Sequence, residues 1–384
     1  MARIVVASWM VRYPLGGNLS WTLQWLVGFQ RLGHDVFLVE KADGPNSCWD
    51  PVRGVMGDDG SFGTQTVHDL LRRLGLGERW CFKEIGGRYF GMSRQHALEV
   101  LRTADLLVDI GNHGAWLEES SRAGLRILVD GEPGATQMKW ENKLAAGEAI
   151  PQFDHYFSNG ANVGREGNSI PTAGQTWRPL FNPVVTDLFG GQEPPQESAF
   201  TTVMNWQAHG KFSYRGTTYG QKDVEFQKFI KLPRHSSARL EVAVSGRIPR
   251  DELREGGWQI RSAHEVTASW NSYRDYIFAS QGEFSVAKEV YVATNSGWFS
   301  DRSAAYLASG RPVVLQETGF SRHLPCGRGL FAVRSLDEAA AALDEITGDW
   351  ARHSAWAREL AREHLEASFV LGRLLLDLGI GGAR

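Results

Sequence analysis

Residues 296–319 read SGWFSDRSAAYLASGRPVVLQETG, and the fold turns on this stretch. Ser300 is a good helix N-cap, with Asp301, Arg302 and Ser303 in the first turn. Ala304, Ala305 and Ala308 are small enough to let that helix lie close to a sheet, and Gly310 stops it. Pro312–Gln316 then reads as a buried strand, released at Glu317-Thr318-Gly319. A short helix delivering its chain straight into a buried strand is half of a βαβ unit. The unpaired N–H groups and dipole at the helix entrance suit an anion, and Arg302 adds a guanidinium suited to a diphosphate. Ser300 and Asp301 also fit a plain helix cap, and Ser303 shares that first turn.

Working outward, the same rhythm recurs on both sides. Strands are expected at 201–204, 240–246, 258–262, 276–280, 312–316 and 330–333, with helices near 221–231, 300–309 and 336–346. Nearer the start, 3–7 (RIVVA) and 36–39 (VFLV) flank a helix with apolar ridges at Leu19, Leu23, Leu26 and Val27 and at Trp21, Trp25 and Phe29. Asn18 or Ser20 is its expected cap and Gly33 its stop. Strands at 106–110, 126–130 and 154–157 each end in a Gly-rich polar loop, as at the carboxyl edge of a doubly wound sheet. Helices near 64–76 and 93–104 fill the gaps.

The rhythm breaks over 182–200, NPVVTDLFGGQEPPQESAF. The expected division is an α/β N-terminal Rossmann-like domain over 1–185, a linker over 186–200 and a second Rossmann-like domain over 201–365. Residues 366–384 form a terminal helix, with the option of crossing back to the first domain. A chain of 384 residues accommodates two such cores facing a central cleft.

A formal net charge of -3 gives no overall pull towards nucleic acid or an anionic membrane, but it leaves room for a local basic patch, so a small molecule, a glycan or a modified nucleic acid all stay open as acceptor. Cys48, Cys81 and Cys326 have neither CxxC nor Cys/His metal spacing, so no metal site is expected and a reducing cytoplasm suits them. The opening MARIVVASWMVRYPLGG reads as a first strand, not a leader or a membrane span. Fourteen Trp residues point to core and interface packing, or to an aromatic-lined cleft for a flat or sugar-like ligand, with Trp9 and Trp21 its candidates.

Strand-end loops supply the other candidates. Gly16 and Gly17 let backbone approach a ligand. Asn205 follows the second half's first strand, trailed by the cations Lys211, Arg215 and Lys222, any of which could neutralise a diphosphate or simply face water. Glu283 projects from a carboxyl edge, and the Thr318-Gly319 backbone could wrap a phosphate. In the first half, Asp130 and Glu132 (VDGEPG) and His113 (GNHG) are the side chains able to act as a general base, or as structural hydrogen-bond partners.

Two segments carry a resemblance. GGNLSWTLQWLVGFQRLGHDVFLVE (16–40) is similar to the Gly-Gly loop, helix and turn that open GT-B fold glycosyltransferases, and SDRSAAYLASGRPVVLQETG (300–319) resembles the donor-site segment of their second domain. The resemblance implies two Rossmann-like domains, a UDP-, GDP- or dTDP-linked sugar held mainly by the second, an acceptor held mainly by the first, and no further cofactor or catalytic metal. The chain departs from the retaining members, whose two E-x7-E glutamates fall on Gly297 and Ala305; Glu283 and Asp301 are the nearest acids to replace them. A sugar-nucleotide epimerase or an inactive nucleotide-sugar binder are the alternatives. Glu40, at the end of the second strand, would suit a nicotinamide enzyme, but G-x-G-x-x-G is missing after the first strand.

Overall fold

The computed structural model describes residues 1–111, 113–190, 193–194, 198–208 and 210–380. In the first half, β1 (Arg3–Ala7), α1 (Gly16–Arg31), β2 (Asp35–Lys41), β3 (Trp80–Lys83), β4 (Tyr89–Gly91), β5 (Leu106–Asp109), β6 (Leu125–Asp130), α2 (Ala135–Ala145), β7 (His155–Ser158) and β8 (Trp177–Pro179) follow in chain order. The strands form one sheet in the order β8-β7-β6-β5-β1-β2-β3-β4, parallel except for the edge strand β4. Both faces are apolar. Ile4, Val6, Val36 and Leu38 pack into one core, and Val5, Ala7, Phe37 and Val39 into another. Helices on each side are what such a sheet requires. The strand order reverses between β1 and β5, which opens a crevice beyond their carboxyl ends.

The second half repeats the design with β9 (Phe200–Asn205), β10 (Leu240–Ser245), β11 (Gln259–Ser262), α3 (Trp270–Ala279), β12 (Gly282–Ser285), α4 (Asp301–Ala308), β13 (Val313–Gln316) and β14 (Leu330–Val333). All six strands are parallel, in the order β11-β10-β9-β12-β13-β14, with the reversal between β9 and β12. A small antiparallel hairpin, Phe212–Tyr214 with Thr217–Tyr219, follows β9. Helix α5 (Ala367–Asp377) packs on α1, where Gly28 leaves room for Leu371 and Ala367; a Cβ there would meet them at 2.6 and 2.9 Å. Residues 381–384 of the expected terminal helix, and 191–192 and 195–197 of the expected linker, lie outside the described residues. Of that linker, Thr186–Phe189 is a 3-10 turn with Phe189 buried in the second half's core.

Two local expectations are corrected. Residues 276–280 are not a strand but the end of α3. Ser269 and Ser272 form a reciprocal cap at its start, and Trp270, Tyr273, Tyr276 and Ile277 repeat at helical spacing on its buried face. The strand lies later, at β12, so Glu283 sits inside the sheet and not beyond its edge. Likewise α1 begins at Gly16, and neither Asn18 nor Ser20 caps it. The Gly16 N–H donates instead to the Thr267 carbonyl of the second half at 2.8 Å.

The two halves meet along a backbone seam. Ala161 and Asn162 N–H groups donate to the carbonyls of Gly297 (3.3 Å) and Ser296 (3.0 Å), and Gly160 bridges Trp298. Gly297 has φ 77°, and a Cβ on it would lie 2.8 Å from the Asn162 nitrogen. Replacing it with alanine therefore adds both left-handed strain and a backbone clash. Gly297→Ala is expected to cost about 1–3 kcal/mol in urea unfolding; an unchanged midpoint would refute the seam's importance.

A second keystone is Glu40, fully buried at the end of β2. Its Oε2 accepts from the Met10 and Val11 N–H groups, both at 2.7 Å, and its Oε1 from the Arg12 N–H at 2.9 Å. Both oxygens are occupied in holding the β1–α1 loop, which removes Glu40 as a ribose ligand. Burial lifts its pKa from 4.5 to about 7, against the pull of those N–H groups. Its favourable contribution to stability is therefore complete below pH 4.5 and lost as pH rises through about 7. Glu40→Gln, which turns an NH2 group towards N–H donors, is expected to lose about 1–3 kcal/mol. Urea titrations at several pH values should show wild type losing ground to the variant from pH 4.5 to 7; parallel curves would refute the assignment.

Candidate functional site

The carboxyl-edge crevices of the two sheets face each other across a cavity of about 640 Å³. Its first wall carries Trp9, Gly17, Asn18 and Trp21 from the β1–α1 region, Gly111 and His113 from the loop after β5, and Glu132 and Thr136 from the β6–α2 turn. Its second wall carries Lys222, Tyr273, Lys288, Tyr291 and Trp298, together with Ser300, Asp301 and Arg302 at the entrance of α4. That entrance opens into the cavity. The Ser300 hydroxyl accepts from the Arg302 N–H at 3.2 Å, which confirms the cap. Tyr214, Ala287, Val290, Tyr291 and Trp298 pack with Ala135 and Met138 of α2, so an apolar cluster spanning the two halves adjoins the site.

The geometry sorts the acids. Asp130 is fully buried and accepts four hydrogen bonds: Thr136 Oγ1 (2.6 Å), Gln137 Nε2 (2.8 Å), Ser158 Oγ (3.0 Å) and the Glu132 N–H (2.9 Å). It is a scaffold for the GEPG turn, not a base. Glu132 is what the turn presents. Its carboxylate takes Lys288 Nζ at 2.5 and 2.6 Å and the Tyr291 hydroxyl at 2.8 Å, a bond between the halves inside the cavity. Burial, then the Glu132 charge, pushes the Tyr291 phenol well above its ordinary pKa, so it stays a proton donor. His113 lines the cavity at φ 45°. The Asp109 carboxylate holds its loop, accepting from the N–H groups of His113 (3.0 Å), Gly111 (3.2 Å) and Gly114 (2.7 Å). Asn112 of that loop lies outside the described residues.

On the second wall, Arg302 is a buried guanidinium. It donates through Nε to Glu283 Oε1 (2.6 Å), through Nη1 to the Val203 carbonyl (2.7 Å), and through Nη2 to Ser285 Oγ. Burial disfavours its charge, but Glu283 and the other groups around it together outweigh that and raise its pKa above the ordinary value. Glu283 is fully buried as this counter-ion, and so is unavailable to a sugar. Lys222 is pushed well below its ordinary pKa by burial and by the neighbouring Arg302 and Lys288. Asp301 is raised, chiefly by burial. Of the two acids expected to replace the glutamates of the resembled motif, only Asp301 reaches the cavity.

Several other candidates do not reach it. Asn205 and Lys211 are exposed away from its wall, and Arg215 pairs with Glu141 of α2 at 3.2 Å. Ser303 is buried behind the first turn. Thr318 donates to the Trp298 carbonyl at 2.6 Å, and Gly319, at φ 96°, accommodates Asn162 and Asn295. Thr318-Gly319 thus wraps the seam, not a phosphate. Gly16 is the contact point of α1 with Ser269 and Tyr273, where a Cβ would lie 2.4 Å from the tyrosine; Gly17 alone of the pair faces the cavity. Lys288, Tyr291 and Asn159 were missed. Placing a strand over 276–280 hid the AKEVY stretch, which carries the chain from β12 into the short helix Glu289–Ala293, whereas the SNG loop after β7 was visible but unused. Trp25 is core, fully buried. Among the described residues no cluster of His, Cys, Asp or Glu could hold a metal ion, and no helix is long and apolar enough to cross a membrane.

No protein-family model matches the chain, and no curated protein matches it in sequence. Solved structures do match in shape. One is an alpha-glucosyltransferase in complex with UDP and a 13-mer DNA containing a central A:G mismatch, covering 99% of this chain and 100% of its own at 12% identity and a TM-score of 0.59. Another is Anabaena Alr3699/HepE, in complex with UDP-glucose (11% identity, TM-score 0.58) and with UDP and glucose (12% identity, TM-score 0.54), covering 99% of this chain and 100% of its own in each case. End to end, then, the chain has the GT-B fold, shared with an alpha-glucosyltransferase solved with UDP and with HepE solved with UDP-glucose.

Proposed function

We propose that the protein is a glycosyltransferase that takes a hexosyl group from a UDP-linked donor and places it on a hydroxyl of an acceptor. One observation carries the reading: the amide-rich entrance of α4 opens into the inter-sheet cavity beside Lys222, Lys288 and Arg302. Residues 201–365 are the donor lobe in this reading, 1–185 the acceptor lobe, and 186–200 join them. The full-length likeness to UDP- and UDP-glucose-bound proteins supports transfer over epimerisation.

Attack of the acceptor oxygen on the anomeric carbon builds positive charge on the sugar and negative charge on the departing diphosphate. The α4 entrance and Lys222 stabilise the latter in the transition state, where the charge grows. Arg302 acts mainly by setting the local field, because Glu283, Ser285 and Val203 already take three of its donors. Lys288 leaves Glu132 for the diphosphate, and Glu132, still accepting from the Tyr291 hydroxyl, takes the acceptor's proton. His113 is the second basic group on that wall. Asp301, at the mouth of α4, accepts from a hydroxyl of the donor sugar. The shape likeness to a protein solved with DNA is a likeness of fold and does not by itself make the acceptor a nucleic acid.

Three measurements test this reading. UDP binding should draw a proton onto Lys222, so affinity falls as pH rises through the depressed pKa of the free protein; calorimetry in buffers of different ionisation enthalpy reads the uptake. Lys222→Met should weaken UDP about tenfold or more and abolish that uptake. Proton-silent UDP binding in wild type would refute the role. Glu132→Gln should lower turnover about 100-fold or more while UDP affinity is kept or rises, because Lys288 no longer has to leave a carboxylate. Tight UDP binding without donor turnover over a broad acceptor panel would instead identify an inactive binder.

A further inference from the structure

On the acceptor wall of the cavity, one amide is set in place with a partner missing. Asn159, at the end of β7, is 2% exposed and lines the cavity. Its Nδ2 donates to Asn182 Oδ1 at 3.1 Å, while its own Oδ1 is buried with no hydrogen-bond partner. The orientation is forced. Trp21 Nε1 also donates to Asn182 Oδ1, at 3.0 Å, so that oxygen is fixed as a double acceptor. Turning Asn159 over would set its oxygen against another oxygen, and turning Asn182 over would set an NH2 against two N–H donors. The indole of Trp21 therefore acts through Asn182 to hold Asn159 Oδ1 as a bare acceptor. A buried carbonyl left unpaired costs about 1–3 kcal/mol, and a ligand hydroxyl placed there recovers it.

The surroundings name the class of ligand. Trp9 and Trp21 contribute partly exposed indoles to the same wall, and Asn18 a further amide. Apolar ring faces beside a directed hydroxyl acceptor match a saturated ring with C–H groups on one face and hydroxyls at its edge. Resting on the glycosyl-transfer reading, we infer that the acceptor is itself a carbohydrate, whose ring lies against Trp9 and Trp21 and whose hydroxyl donates to Asn159 Oδ1. This hydroxyl anchors the ring and is distinct from the one that is glycosylated, since Asn159 cannot take up a proton.

The test uses the full chain saturated with UDP and a panel of methyl hexosides, read by saturation-transfer NMR, with phenol and a short-chain alcohol as non-carbohydrate probes. Wild type is expected to bind at least one hexoside and neither of the other two. Asn159→Ala should weaken that hexoside about tenfold or more, while UDP affinity stays within about twofold. Trp9→Ala, which leaves the Asn159–Asn182–Trp21 chain intact, should weaken it as well. Phenol binding in preference to every hexoside, or a hexoside affinity indifferent to both variants, overturns the inference. So does an Asn159→Ala variant that loses the advantage of UDP-glucose over UDP but keeps the hexoside, because the oxygen then serves the donor's sugar. Loss of UDP binding in wild type would instead sink the transferase reading itself, a separable result.

Discussion

Everything at the cavity depends on the seam in which the backbone of 160–162 grips the backbone of 296–298. Helix α4 starts three residues later, so the seam fixes where its entrance points. The seam is tight enough to require glycine at 297, with φ 77°, and it recruits Thr318 and Gly319 from the far side of the segment. A glutamate at 297, as in the resembled motif, would have to occupy the space of the Asn162 backbone. At 305 it would be driven into the core formed with Tyr306, Leu307 and Val313. The missing glutamates are thus exclusions imposed by packing, and the burden of contacting a sugar moves to other groups.

Three of the cavity's cations lie beside acids. Arg302 faces Glu283, Lys288 faces Glu132, and Lys222 lies within reach of the Asp301 charge. Buried pairs of this kind add little to stability, because desolvation consumes most of the attraction. What they provide is a set of charges already in position, one of them a lysine whose proton is loosely held. A diphosphate entering such a site meets Lys139 and Lys143 on the α2 wall as well as these pairs. It redistributes existing pairs, and the Lys288–Glu132 contact is the one that joins the two halves.

Much was legible in the sequence because it is local. Short β-branched apolar runs, Gly-terminated strand ends and the Ser300 cap follow from a few neighbouring residues, and they gave two α/β halves and the helix at 301–308. Errors arose where local patterns compete. YIFAS has strand-like composition, yet the Ser269–Ser272 cap and the spacing of Trp270, Tyr273 and Ile277 make it helical, and the slip of one element concealed Lys288. Asp130 and Glu132 look equivalent two residues apart. Only the fold brings Thr136, Gln137 and Ser158 onto one and Lys288 and Tyr291 onto the other.

The sequence by itself determined the secondary structure alternation, the parallel sheets and the chemistry available at each strand end, since these rest on backbone propensity and hydrophobic period. Tertiary structure alone decided which polar groups are consumed by protein and which still face the cavity. Asn159 with its unpartnered oxygen, Arg302 with three donors already taken and Gly319 behind the seam are distinguished by partners 17 to 157 residues away in the chain. Hydrogen-bond saturation depends on those long-range contacts, and no short window of sequence contains them.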